Sequence, residues 1–98
     1  MKKGAFLVNT ARGPVVDEHD LVEALKSGQL TGAALDVYDN EPNISPELIG
    51  MENVVLTPHI GGATDESVLR HSQMMADDIE RFLKGERPKN LVNPQVWK

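Results

Sequence analysis

The chain has no cysteine, which excludes disulfides and thiolate metal sites and fits a reducing compartment, the cytoplasm. It has no apolar run near the ~20 residues of a membrane span, so no membrane partner is expected. Ten basic residues are scattered among fifteen acidic ones, for a net charge of −5. Without a basic stripe to neutralise a phosphate backbone, nucleic acid is not an expected partner either. There is no internal repeat, no low-complexity segment, no metal-ligand spacing, no P-loop and no G-x-G-x-x-G. Lys2 and Lys3 precede an apolar stretch too short for a secretory h-region, and no A-x-A-like cleavage site follows, so that stretch reads as a strand.

What is there suits one small domain. The 98 residues, 40% hydrophobic and 26% charged, have the balance of a soluble globular chain that buries roughly 60–65% of its unfolded surface. Ala5–Asn9 is a continuous apolar run of the kind that forms a strand buried on both faces of a parallel sheet. After the turn Thr10–Pro14, Asp17 is a good N-cap for a helix of about ten residues. Leu21, Ala24 and Leu25 share one face of it, and Lys26 and Gly28 signal its end. Gly32–Val37 reads as a second buried strand, small enough in side chain for a helix to pack closely. Tyr38–Pro46 is a loop, Pro46–Ile49 a single helical turn and Asn53–Thr57 a third strand. Thr64 caps a long helix in which Val68, Met75, Ile79, Phe82 and Leu83 keep near-helical spacing, and Glu86–Lys98 is a polar tail. The four methionines, Met74 and Met75 among them, are expected to fill core gaps or an interface. This order predicts an α/β fold with a parallel sheet, of which three strands make half of a doubly wound one.

The residues able to do chemistry sit where those strands end. Pro58-His59-Ile60-Gly61-Gly62 follows Val54-Val55-Leu56, and the carboxyl ends of strands are where an open α/β sheet places its ligands. Histidine exchanges protons near neutrality, and the flanking glycines let a ligand approach the backbone. Arg12 follows the first strand, Asp36 and Glu41 the second, and His59 the third. In a parallel sheet these ends open on one edge, and the set suits reduction of a 2-oxo acid. Arg12 can hold a carboxylate through two parallel hydrogen bonds. His59 can protonate the carbonyl oxygen as hydride arrives and take the proton back in reverse. Glu41 can orient that imidazole and favour its charged form. Plainer readings stand beside these. Arg12 next to Gly13-Pro14 suits a surface turn, Glu41 before Pro42 suits a solvated side chain, and His59 can be a loop histidine with no chemical role. Asp36 suits a loop cap as readily as a bond to a ligand amide, and His19 and His71 read as structural or exposed.

Three ordered blocks carry a resemblance: Val8-Asn9-Thr10-Ala11-Arg12-Gly13, then Gly32 to Tyr38 running on to Glu41-Pro42, then Asn53 to Gly62. They resemble the D-isomer-specific 2-hydroxyacid dehydrogenases, a family that includes phosphoglycerate dehydrogenase and glyoxylate/hydroxypyruvate reductase, and the likeness covers nearly the whole chain. The resemblance implies an NAD(P)-dependent oxidoreductase for a small D-2-hydroxy or 2-oxo acid, assembled as a homo-oligomer, a dimer. It implies that Arg12 binds substrate, that Glu41 is the acid paired with the histidine, and that His59 is the general acid/base. It also implies that Asp36 lies near the nicotinamide ring, and that Thr10, Ala11, Arg12, His59, Gly61 and Gly62 line the nicotinamide half of NAD or NADP. The formate dehydrogenase branch has glutamine where this chain has Glu41, so the carboxylate favours the 2-hydroxyacid branch. Family members are far longer, and the likeness is to their carboxyl-terminal portion. Residues 1–63 would then be the second half of a Rossmann-like dinucleotide-binding domain. Residues 64–98 would be a hinge helix and tail returning to a substrate domain. The residues that choose NAD or NADP, and those that select the 2-oxo acid, are expected in the portion not matched. On its own the chain is expected to be inactive; the alternative is a non-catalytic interaction module that pairs through its sheet edge and long helix.

Overall fold

A computed structural model describes all 98 residues, Met1–Lys98, which divide into two compact units, Met1–Gly61 and Gly62–Lys98. In the first unit, three parallel strands form one sheet in chain order: β1 (Ala5–Asn9), β2 (Leu30–Leu35) and β3 (Val54–Leu56). Helix α1 (Glu18–Lys26) connects the first pair of strands, and the short α2 (Pro46–Ile49) lies between the second pair. A 3-10 turn at Gly13–Val15 precedes α1. The expected α/β parallel architecture is what the chain forms.

Asp17 starts α1 as its side chain accepts the Asp20 amide at 3.0 Å, satisfying one of the donors a helix leaves open. The apolar face of α1, Leu21, Val22 and Leu25, then packs with Leu30, Ala33 and Leu35 of β2, with Tyr38 and with Leu48 of α2. Leu48 is wholly buried and Val22 almost so. The second strand runs two residues earlier than Gly32–Val37. Its ladder starts where Ala5 of β1 pairs with Leu30, and it ends at Leu35 because the Asp36 side chain turns to cap a loop. Between Ala5 and Phe6 the register slips by one residue, so Thr31 bulges and Leu30 falls on the same face as Ala33 and Leu35.

One expectation about β1 is corrected. Only the face carrying Ala5, Leu7, Ala33, Leu35, Val54 and Leu56 meets the helices of this unit. The pairings Phe6 with Gly32, Val8 with Ala34 and Ala34 with Val55 define the other face. There Phe6, Val8 and Val55 are 68%, 69% and 64% exposed, so β1 is not buried on both faces.

In the second unit, Thr64 caps α3 (Asp65–Leu83) by accepting the Ser67 amide at 3.1 Å. No residue of α3 is buried, and Met74 and Met75 are exposed, so they fill no core gap. The tail is not merely polar. Asp78 accepts the Lys89 and Asn90 amides, Arg81 pairs with Glu86, and Trp97 meets Phe82 edge to face at 6.3 Å. No helix of the chain is long and apolar enough to cross a membrane.

Candidate active site

Asn9, buried at the end of β1, holds the first loop in shape. Its Oδ1 accepts the Ala11 amide at 3.1 Å and its Nδ2 donates to the Arg12 carbonyl at 3.0 Å. That stitch leaves Thr10, Ala11 and Arg12 exposed. Gly13 then comes so close to the second loop that a Cβ on it would lie 2.0 Å from the Tyr38 carbonyl oxygen. Only glycine permits this approach, and it brings the Arg12 loop against the Tyr38–Asp39 backbone.

At the end of β2, Asp36 accepts from Thr57 Oγ1 at 2.6 Å, from the Ile60 amide at 2.9 Å and from the Gly61 amide at 2.8 Å. The Thr57 hydroxyl above all, then the Ile60 amide, hold its carboxyl below the usual range. Of the two readings of Asp36, the loop cap is the one these bonds describe. The cap shapes the residues after β3. His59 has φ of 52°, in the left-handed region, with its own amide donating to the Thr57 carbonyl at 3.1 Å. A Cβ on Gly61 would stand 3.0 Å from the Asp36 carboxylate, so glycine there keeps the cap tight.

His59 and Glu41 are brought together, with Nδ1 2.8 Å from Oε2. The other oxygen, Oε1, accepts the Tyr38 amide at 3.0 Å. The His59 hydrogen bond first, then the Tyr38 amide, hold the Glu41 carboxyl below its ordinary range, and the Arg12 charge adds to this. Both side chains stay partly open, at 48% for His59 and 35% for Glu41. Tyr38, Pro42, Ile44 and Pro58 line a cavity of about 150 Å³ beside the pair, giving it an apolar flank. Arg12 shares the edge but makes no bond to the pair; its guanidinium donates to the Ala11 carbonyl at 2.6 Å.

The residues expected to meet a nicotinamide dinucleotide fit half of one. Thr10, Ala11, Arg12 and Gly61 are exposed at or after strand ends, and a Cβ on Gly62 would meet nothing within 4 Å, so its backbone is open to a ligand. The pyrophosphate half would need a glycine-rich turn of a kind this sequence does not contain. Asn9, Gly13, Tyr38 and Thr57 shape the site and escape a reading of single residues. A buried asparagine and a threonine at apolar strand ends are the signals that point to the first and last. Elsewhere, Asp17, His19 and Asp20 place ligand-type atoms within 4.8 Å of one another on the surface. There Asp17 is engaged as the cap of α1.

The family model for the D-isomer specific 2-hydroxyacid dehydrogenase NAD binding domain matches residues 1–61. A glyoxylate reductase of Thermofilum pendens is 52% identical over 100 residues, covering all of this chain and 29% of the relative. Among solved structures, a glyoxylate reductase from Paecilomyes thermophila superposes with a TM-score of 0.90 at 37% identity, covering 97% of this chain and 29% of that one. An NADPH-dependent glyoxylate/hydroxypyruvate reductase from Sinorhizobium meliloti, solved in complex with NADP and malonate, gives 0.88 at 32% identity over 99% of this chain and 30% of its own. The chain thus spans under a third of the length of these relatives. With the parallel sheet, the strand-end loops and these matches together, the chain belongs to the D-isomer-specific 2-hydroxyacid dehydrogenase family and matches its NAD-binding domain.

Proposed function

We propose that this chain supplies the acid–base half of an NAD(P)-dependent oxidoreductase that interconverts a small D-2-hydroxy acid and its 2-oxo acid, in the cytoplasm. The observation that carries the reading is the 2.8 Å bond between His59 Nδ1 and Glu41 Oε2. With Nδ1 engaged by a carboxylate, Nε2 is the atom left for proton transfer, and the tautomer is fixed by the partner. His59 gives its proton to the substrate carbonyl oxygen in one direction and receives it from the hydroxyl in the other. Arg12, whose bond to Ala11 uses one nitrogen, retains the donors for a bidentate grip on the substrate carboxylate. Thr10, Ala11, Arg12, Asp36, His59, Gly61 and Gly62 are the residues proposed to meet the nicotinamide half of NAD or NADP, with Asp36 acting through the loop it caps. A bound dinucleotide supplies or accepts the hydride. In this reading 1–63 is the catalytic wall, and 64–98 is the hinge helix and tail.

The test is a chimera in which this segment replaces its counterpart in the Thermofilum pendens glyoxylate reductase. The chimera should reduce glyoxylate with a nicotinamide cofactor, and His59→Ala should slow its turnover by about 10²–10⁴-fold. An unchanged rate removes His59 from the mechanism. The 98-residue chain alone should oxidise no NADH with glyoxylate; measurable turnover overturns that half of the reading. The open sheet face of Phe6, Val8 and Val55 also supports assembly with a second copy, since a parallel sheet is ordinarily covered on both faces. A strictly monomeric mass in sedimentation removes that assembly.

A further inference from the structure

We propose that Tyr38 is a positioning residue for the Glu41–His59 pair: its amide holds one oxygen of the acid, and its hydroxyl holds the carbonyl that receives the His59 N–H. The two ends of one residue thus touch both arms of the pair. The amide donates to Glu41 Oε1 at 3.0 Å. The hydroxyl lies 2.8 Å from the Thr57 carbonyl and 3.0 Å from the Leu35 carbonyl. The Thr57 carbonyl also accepts the His59 amide, at 3.1 Å.

The acceptors are informative because of where they stand. Leu35 is the last residue of β2, and its carbonyl already accepts the Thr57 amide at 3.0 Å, just past β3. The phenol therefore spans the point at which the two strands part. Beyond it one chain runs three residues from Tyr38 to Glu41, and the other runs two from Thr57 to His59. Fixing the roots of these short arms fixes their tips. Burial does not do that task, because both partners of the pair are partly open to solvent. A tyrosine in a core needs some partner for its hydroxyl, and a phenylalanine fills the same space without that need. Here the single O–H proton is shared between two strand-end carbonyls, so its loss frees the loops rather than emptying the core.

Burial and the surrounding carboxylates keep the phenol in its donor form. Burial chiefly, and then the Asp36, Glu18 and Glu41 carboxylates, push the Tyr38 hydroxyl above its ordinary range, outweighing the bond to Thr57. Arg12 and His59 are the cationic groups that act on Glu41 from the other loops.

The inference rests on reading Glu41 and His59 as the acid–base pair, but its test needs no turnover. The Glu41 carboxyl is titrated by carbon NMR in the 98-residue chain and in Tyr38→Phe. In the variant its midpoint should rise toward the ordinary carboxylate range, because the amide and the imidazole no longer stay in register with it. A hydroxyl that merely stabilised the fold would lower the melting temperature and leave that midpoint in place. A folded Tyr38→Phe chain in which Glu41 titrates as before overturns the inference. Where Tyr38→Phe does not fold, reciprocal linkage in the unaltered chain decides. The Tyr38 Cζ resonance should then follow the Glu41 midpoint and cease to do so in Glu41→Gln; a resonance indifferent to Glu41 overturns the inference. A raised midpoint in Tyr38→Phe, with full turnover of the His59→Ala chimera, would keep the positioning and remove the acid–base role.

Discussion

His59 stands in a backbone conformation that side chains with a Cβ avoid, at φ 52°, and it is the chain's only non-glycine residue with positive φ. Left-handed geometry costs an L-residue about 1–2 kcal/mol. Its neighbours impose that geometry: Asp36 draws in the Ile60 and Gly61 amides, while the Thr57 carbonyl takes the His59 amide. The ring on this backbone meets Glu41, with Nδ1 2.8 Å from Oε2, so the strain and the pairing fall on one residue of the capped loop. This yields a test by substitution. Replacing an ordinary exposed residue with glycine instead of alanine costs stability through the unfolded chain, by about 0.4–1 kcal/mol. At His59 the order should be lost or reversed, with His59→Gly at least as stable to urea as His59→Ala. A glycine variant clearly weaker than the alanine one would show that the loop relaxes out of the left-handed region once the ring is gone.

Strands, helices and their caps were legible because their causes are local. Asp17 and Thr64 cap the helices they were expected to cap, and β1 and the helical turn Pro46–Ile49 have the expected bounds. The second strand lies two residues earlier than its apolar run predicts, because its ends are decided by pairing with β1 and by the Asp36 cap, neither of which is local in sequence. The loops between elements follow the same division. Arg12, Glu41 and His59 stand out by residue type, whereas the Tyr38 and Thr57 hydroxyls act on groups that only the fold brings near, and Asn9 acts on the backbone of its own loop. Gly13 is the clearest case, since its reason for being glycine lies 25 residues downstream in the Tyr38 carbonyl. A methyl group there must push apart two loops built on different strands. Forced overpacking of this kind costs about 1–3 kcal/mol, and in a domain of this size each kcal/mol moves Tm by roughly 4–8 °C. Gly13→Ala should therefore lower Tm by at least about 4 °C. A variant that melts with the parent would mean the Arg12 and Tyr38 loops are free to separate.

The charge distribution ties stability to pH in both compact units. In Met1–Gly61, Asp36, Glu41 and Glu47 have carboxyl groups held below their ordinary range, chiefly by Thr57, His59 and Lys26 respectively. In Gly62–Lys98 the same holds for Asp78, through the Lys89 amide, and for Glu80, through Lys84. A carboxyl lowered in the folded state contributes stability that is complete above the unfolded value and is lost as pH falls through the folded one. Lys26 and Lys84 are raised by Glu47 and Glu80, so their share is complete below the usual lysine range and fades only as pH climbs through it. Acidification below the ordinary carboxylate range should thus destabilise both units. The sources differ in their response to salt. Lys26–Glu47 and Lys84–Glu80 are exposed ion pairs, which mobile ions screen and which contribute little. Asp36, itself buried, is bound by neutral donors, a hydroxyl and two amides, and such bonds do not depend on a mobile counter-charge. Urea melts across the acid range should accordingly keep most of their pH dependence in high salt. Asp36→Asn should flatten that dependence more than Glu80→Gln does; the opposite order would place the acid sensitivity on the surface pairs instead of the loop cap beneath His59.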